Sequence, residues 1–126
     1  MRKKDLIIYC NEQNAGDIPM YKKELDGNLG KIFKVKGRRG NYISLYDGNF
    51  FNLYDVNLFR KINISNAFIK KYLNENILNF CINNSQKSIS FIESSLYSKY
   101  SYKLDIKLCN ILAKAFSIES YIKCNN

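Results

Sequence analysis

From Asp5 to Ile62 apolar residues tend to alternate with polar ones, and turn-forming residues interrupt them. Beyond that point the apolar spacing lengthens to three and four. All six Gly and the only Pro, Pro19, precede Asn49. The pattern predicts two parts, residues 1-62 built of strands and turns and residues 63-126 built of helices.

In the first part "DLIIYC" (Asp5 to Cys10) reads as a strand. A long irregular connection containing "NAGDIP" leads to "GKIFKVKG" (Gly30 to Gly37) as the next strand, and "GRRGN" turns the chain into "NYISLY". The Asp47-Gly48 pair favours a tight hairpin into "FFNLY", and a short crossing at "YDVNLF" precedes a last strand at "LFRKI". So small a sheet leaves edges and an apolar face uncovered unless it curls into a barrel.

In the second part "ISNAFIKKYL" places Ile64, Phe68, Ile69 and Tyr72 or Leu73 along one stripe, and "NENILNFCI" follows. "SQKSISFIESSL" opens on Ser85, whose hydroxyl suits a helix cap. "LDIKLCNILAKAFSI" puts Leu108, Ile111, Leu112 and Ala115 on a further helical face.

The order of strands, long first loop and short crossing from Lys4 to Ile62 resembles an SH3-like small barrel. From Leu73 to Ile118, "LNENILNFCINNSQKSISFIES" followed by "LCNILAKAFSI" resembles the phage-repressor, Xre-like helix-turn-helix. That resemblance implies Leu73, Leu78, Ile82, Ile89 and Ile92 as the positions clamping two helices, with "NNS" as the turn. It also implies Asn74 as a cap, and Gln86, Lys87 and Ser90 as side chains reaching bases or phosphates. The chain departs from the family at Glu75, where a neutral Gln usually meets the phosphate, at Phe91, where a polar residue is usual, and at Ser94 and Ser95. The expected fold class is therefore α+β, an SH3-like small β-barrel followed by a helix-turn-helix-like helical segment.

Charge sharpens the functional reading. Twenty Lys+Arg against eleven Asp+Glu give +9 over 126 residues, which attracts phosphate backbones or acidic proteins before any specific contact forms. An Asn-, Lys- and Tyr-rich composition also follows from an AT-rich genome, so the charge has a bland explanation as well. "KVKGRRGN" sets Lys34, Lys36, Arg38 and Arg39 beside Tyr42, cations interleaved with an aromatic face as an RNA- or single-strand-binding barrel requires. The Tyr-rich "LYSKYSYK", contributing Tyr97, Tyr100 and Tyr102, together with Phe91, suits a protein interface.

Catalysis finds little footing. The chain has no His, its carboxylates are scattered, and the four Cys (Cys10, Cys81, Cys109 and Cys124) form no CxxC pair. No enzyme activity, metal or cofactor is expected, and Cys81 and Cys109 read as helical packing residues. No apolar run approaches the roughly 18 residues of a membrane span, and "MRKKDLIIYC" lacks a long apolar core or cleavage site, so the expectation is a cytoplasmic protein.

The function expected is binding, by a small basic protein of phage or mobile-element character acting as a DNA-binding regulator or engaging a nucleoprotein complex. The alternative is a protein-protein inhibitor of a host defence system, anti-CRISPR-like, which the departures at Glu75 and Phe91 favour. A further alternative is an RNA- or ribosome-associated protein. The expected partners are nucleic acid (DNA or RNA) or an acidic or nucleoprotein partner, with no membrane; a homodimer is left open.

Overall fold

The computed structural model describes residues 1–11, 25, 27–45 and 53–124. The architecture is mixed α+β, and the elements described in full run strands first and helices after them. The strands are β1 (Leu6–Tyr9), β2 (Ile32–Lys34), β3 (Gly37–Arg39), β4 (Tyr42–Ser44), β5 (Leu53–Asp55) and β6 (Phe59–Lys61), with a 3-10 turn at Val56–Leu58 before the last. They form two small antiparallel sheets, ordered β2-β1-β6 and β3-β4-β5.

The stretch expected as one strand, Gly30 to Gly37, contributes to both sheets. Ile32 pairs opposite Ile8 in the first, whereas Gly37 pairs opposite Ser44 in the second. The bend lies at Val35 and Lys36: the Val35 amide donates to Asp5 O (2.9 Å) and the Lys36 amide to Ser44 O (2.9 Å), so the chain changes partner within two residues. Arg39 pairs opposite Tyr42, which leaves Gly40 and Asn41 as a two-residue turn with Gly40 at φ +62°. Arg38 and Arg39 therefore lie in strand β3 and not in the turn. The expected Asp47-Gly48 hairpin lies outside the described residues.

Successive β1 side chains point to opposite faces. Ile7 and Tyr9 join a core with Val35, Ile43, Leu45, Tyr54, Leu58 and Phe59. Ile8 and Cys10 join a second core shared with Ile32, Ile62 and the helices. β1 is thus buried on both faces, and its unbroken apolar run fits that position.

The helices are α1 (Asn66–Tyr72), α2 (Glu75–Asn83), α3 (Ile89–Tyr100), α4 (Ile106–Phe116) and α5 (Ile118–Cys124). At α1 through α4 in turn, Ser65, Asn74, Ser88 and Asp105 each accept the backbone amide three residues on, satisfying an orphan donor. The cap of α3 is Ser88 and not the expected Ser85. Ser85 Oγ instead donates to Ile82 O (2.9 Å), closing the end of α2.

The fully buried helical residues are Ile77 and Cys81 on α2, Ile92 and Leu96 on α3, and Cys109, Leu112, Ala113 and Phe116 on α4. Among the expected clamp positions Leu73 and Ile92 are buried, whereas Leu78, Ile82 and Ile89 are half-buried and pack against this core from its margin. On α4 the buried stripe is shifted from the expected face: Cys109, Leu112, Ala113 and Phe116 follow the i, i+3, i+4, i+7 spacing, and Ile111 is exposed. Burial, with Cys109 nearby, pushes the Cys81 thiol up to about 12, and burial likewise raises the Cys109 thiol. Both stay protonated and apolar at neutral pH.

Gly30 marks where the two parts touch. It has φ +86°, and a Cβ there would lie 2.7 Å from Ile118 Cβ and 3.3 Å from the Gln86 Cα. Gly30→Ala combines left-handed strain with overpacking and should cost roughly 2 to 4 kcal/mol. Urea denaturation of the variant measures the loss; an unchanged midpoint would mean that this contact does not constrain the fold.

Candidate anion-binding surface

Among the described residues β6 is an edge strand, paired with β1 on one side. Edge strands with charged residues resist pairing with other chains. Arg60 and Lys61 are consecutive, so they leave the strand on opposite faces. Both are exposed.

Three adjoining clefts share Lys61. The first, of about 380 Å³, lies between the first sheet and the helices; Lys4, Lys34 and Lys61 rim it over an apolar floor that includes Leu6, Ile69 and Phe116. The second, of about 350 Å³, is lined by Arg60, Lys61, Lys114 and Tyr121. The third, of about 450 Å³, is lined by Arg38, Arg60, Lys61 and Asn63. Together the linings hold six cations and one carboxylate, Asp5.

Asp5 is already engaged. Its Oδ2 accepts from the Arg2 amide (2.8 Å) and lies 3.7 Å from Lys61 Nζ. With Lys61 exposed, that ion pair contributes at most about 1 kcal/mol and leaves the ammonium accessible. Arg38 is oriented by its own backbone contacts: Nε donates to Gly40 O and Nη1 to Met1 O, each at 2.9 Å. A guanidinium has five N–H groups, so donors remain for an anion.

The residues expected from sequence fall in three places. Lys34 and Arg38 belong to this basic band. Arg39 and Tyr42 pair opposite each other, and Asp55 pairs opposite Tyr42, which puts Arg39 and Tyr42 on one face of the second sheet with the Asp55 carboxylate. Lys36 is half-buried between the sheets and engaged there. Lys4, Arg60, Lys61 and Lys114 were not singled out from sequence. The signal for two of them was present in "LFRKI", since adjacent cations in an edge strand serve both of its sides.

The helix-turn-helix candidates occupy a locked turn. Gln86 was expected to reach bases, but its carboxamide Nε2 donates to Gly27 O (3.1 Å) and Leu29 O (3.0 Å), tying the helical part to the strand part. The Ile118 amide donates to Ser85 O (2.9 Å) and Ser117 Oγ to Lys87 O (2.8 Å), so the α4–α5 junction holds the same turn from another side. Lys87 is exposed, with its ammonium 5.6 Å from the Phe91 ring centroid. Ser90 is exposed on the same outward face of α3 as Phe91 and Tyr97, which are 46% and 48% accessible. Tyr100, expected at an interface, is only 7% exposed: its ring packs edge-on against Phe80, and its hydroxyl donates to Asn76 O at 3.4 Å. Tyr102 is 74% exposed.

The first free amide of α3 is also spoken for. Ile89 N donates to Glu119 Oε2 (3.0 Å), and Lys123 Nζ lies 3.3 Å from Glu119 Oε1. The amide hydrogen bond, then Lys123, hold this carboxyl below the usual glutamate range. A carboxylate at that helix start competes with any phosphate there.

Among the described residues no three Cys, Asp or Glu side chains gather where a metal ion would sit, and no helix is long and apolar enough to cross a membrane. In comparisons with known proteins, no family model, curated protein or solved structure matches the chain.

A carboxyl lowered on folding adds stability that is present above the unfolded pKa and is lost as pH falls through the folded one. Glu119→Gln should therefore be less stable than the parent at neutral pH, with the difference closing at acidic pH. Denaturant titrations at both pH values measure this; a gap that persists in acid would assign the effect to packing.

Proposed function

We propose that the protein binds nucleic acid, gripping the phosphate backbone along the edge of its strand part, alone or within a nucleoprotein complex. The observation that carries this reading is the meeting of three clefts at Lys61, with six cations against one engaged carboxylate. Phosphate contacts need cations at the surface and tolerate variation in base sequence, which suits side chains supplied by strand ends and a strand edge.

The finer fold reading fits the same picture. The order of β1, a long connection, bent β2–β3, β4, β5, a 3-10 crossing and β6, with ladders β2-β1-β6 and β3-β4-β5, supports an SH3-like barrel. The succession of α2, a short turn and α3 supports the repressor-type resemblance. In this proposal that motif braces the molecule and does not read bases, because Gln86 and the α3 amide at Ile89 are used internally.

A second reading, inhibition through protein contact, is favoured by the outward face of α3. Phe91 and Tyr97 flank Ser90 and Ser94 there, and no acidic residue separates them. Aromatic residues beside small polar ones form the anchors of many protein interfaces.

Salt dependence separates the two. With all six cations on phosphates, affinity for a short duplex of arbitrary sequence should fall roughly 10³-fold between about 50 and 200 mM salt, and Arg60→Ala with Lys61→Ala should weaken it at least about tenfold with little change in stability. Fluorescence anisotropy reads both. No duplex or single-strand binding at low salt, with a protein captured through Phe91 and Tyr97, would replace this reading with the second.

A further inference from the structure

We infer that the cleft between α2 and the C-terminal end of α3 takes one unstacked nucleotide, an inference that rests on the nucleic-acid reading above and names the form of ligand it favours. The cleft is distinct from the basic band, is shallow and open with a volume of about 670 Å³, and is lined by Asn76, Asn79, Asn83, Phe80, Lys99 and Tyr102, among others. No carboxylate lines it.

The α2 helix sets Asn76, Asn79 and Asn83 at i, i+3 and i+7, so they share one exposed stripe. Among the described residues their carboxamides make no hydrogen bond with one another or with neighbours. Each offers both donors and an acceptor. Phe80 lies beside them on the same α2 face, and its ring meets that of Tyr100 on α3 edge-on with centroids 5.9 Å apart. The Lys99 ammonium lies 5.3 Å from the Phe80 centroid and 5.7 Å from that of Tyr100, which brings a cation to the aromatic side of the cleft. Tyr102, largely exposed, also lines the cleft, with the Lys103 ammonium 5.6 Å from its ring centroid.

These groups match the three parts of a nucleotide. Carboxamides pair with the mixed donor and acceptor edge of a base, an exposed Tyr offers a stacking face, and the ammonium matches a phosphate. A duplex keeps its bases stacked inside, so the ligand must be a single strand, a loop or a flipped-out nucleotide. A neutral sugar would use the carboxamides and the ring but leave Lys99 unmatched.

The test is an NMR titration of the isotope-labelled full chain with AMP, and with ribose 5-phosphate as the control without a base. AMP should move the side-chain amide signals of Asn76, Asn79 and Asn83, and ribose 5-phosphate should not. Tyr102→Ala with Asn79→Ala, both at exposed positions, should lower affinity for a short single-stranded oligonucleotide roughly tenfold while leaving duplex binding unchanged. Amide signals indifferent to AMP, signals moved equally by both compounds, signals moved by a neutral disaccharide in place of AMP, or unaltered single-strand affinity would each overturn the inference. A protein that grips duplex yet ignores AMP loses the cleft alone, whereas one that responds to AMP but ignores duplex loses the basic band and keeps the cleft.

Discussion

The structure depends on one strand being buried on both faces. β1 sends Ile7 and Tyr9 into the core of the strand part and Ile8 into the core beneath the helices, where Cys10 just past its end joins it. A strand in that position cannot shift by one residue, because the shift would exchange the two sets of side chains between cores of different shape. Its two neighbours, β2 and β6, are fixed with it, and so is the emergence of Lys34, Arg60 and Lys61 where the two parts meet.

The turn between α2 and α3 acts as the second fastening. Gln86 reaches the backbone at Gly27 and Leu29, Ser85 O and Lys87 O receive donors from the α4–α5 junction, and Gly30 lacks a Cβ where Ile118 approaches. In a base-reading helix-turn-helix this turn stands proud of the surface. Here its polar groups hold the molecule together, which moves the weight of the functional argument to the strand edge and to the cleft beside α2.

Those two surfaces have different chemistry. The band around Lys61 offers charge and little that distinguishes one base from another. The cleft offers carboxamides and rings with a single cation. Charge acts over several ångströms and governs encounter, whereas amide and ring contacts act only when a base is out of its stack. Under the proposed function, the two surfaces together favour nucleic acid that combines backbone with an unpaired nucleotide.

Much of this was legible in the chain itself. The loss of Gly and Pro beyond Ile62 gave the change from strands to helices, and "LFRKI" and "DLIIYC" gave their strands, because these depend on local backbone preference and nearest neighbours, whereas the Asn74 cap came from the helix-turn-helix resemblance. Periodicity alone did not fix the phase of α4, since "LCNILAKAF" holds apolar residues at Leu108 and Ile111 as well as at Cys109, Leu112, Ala113 and Phe116, and only the packing against α3 selects the second set. Ser85 reads as the cap in the sequence, but the helix starts at Ser88, and the Ser85 carbonyl accepts the Ile118 amide from the α4–α5 junction. The basic band was the least legible, for its members come from residues 4, 34, 38, 60, 61 and 114. Local spacing determines which segments are strands and helices, but side chains that distant in the chain meet only when the two cores on either side of β1 close, and that is a decision of tertiary packing.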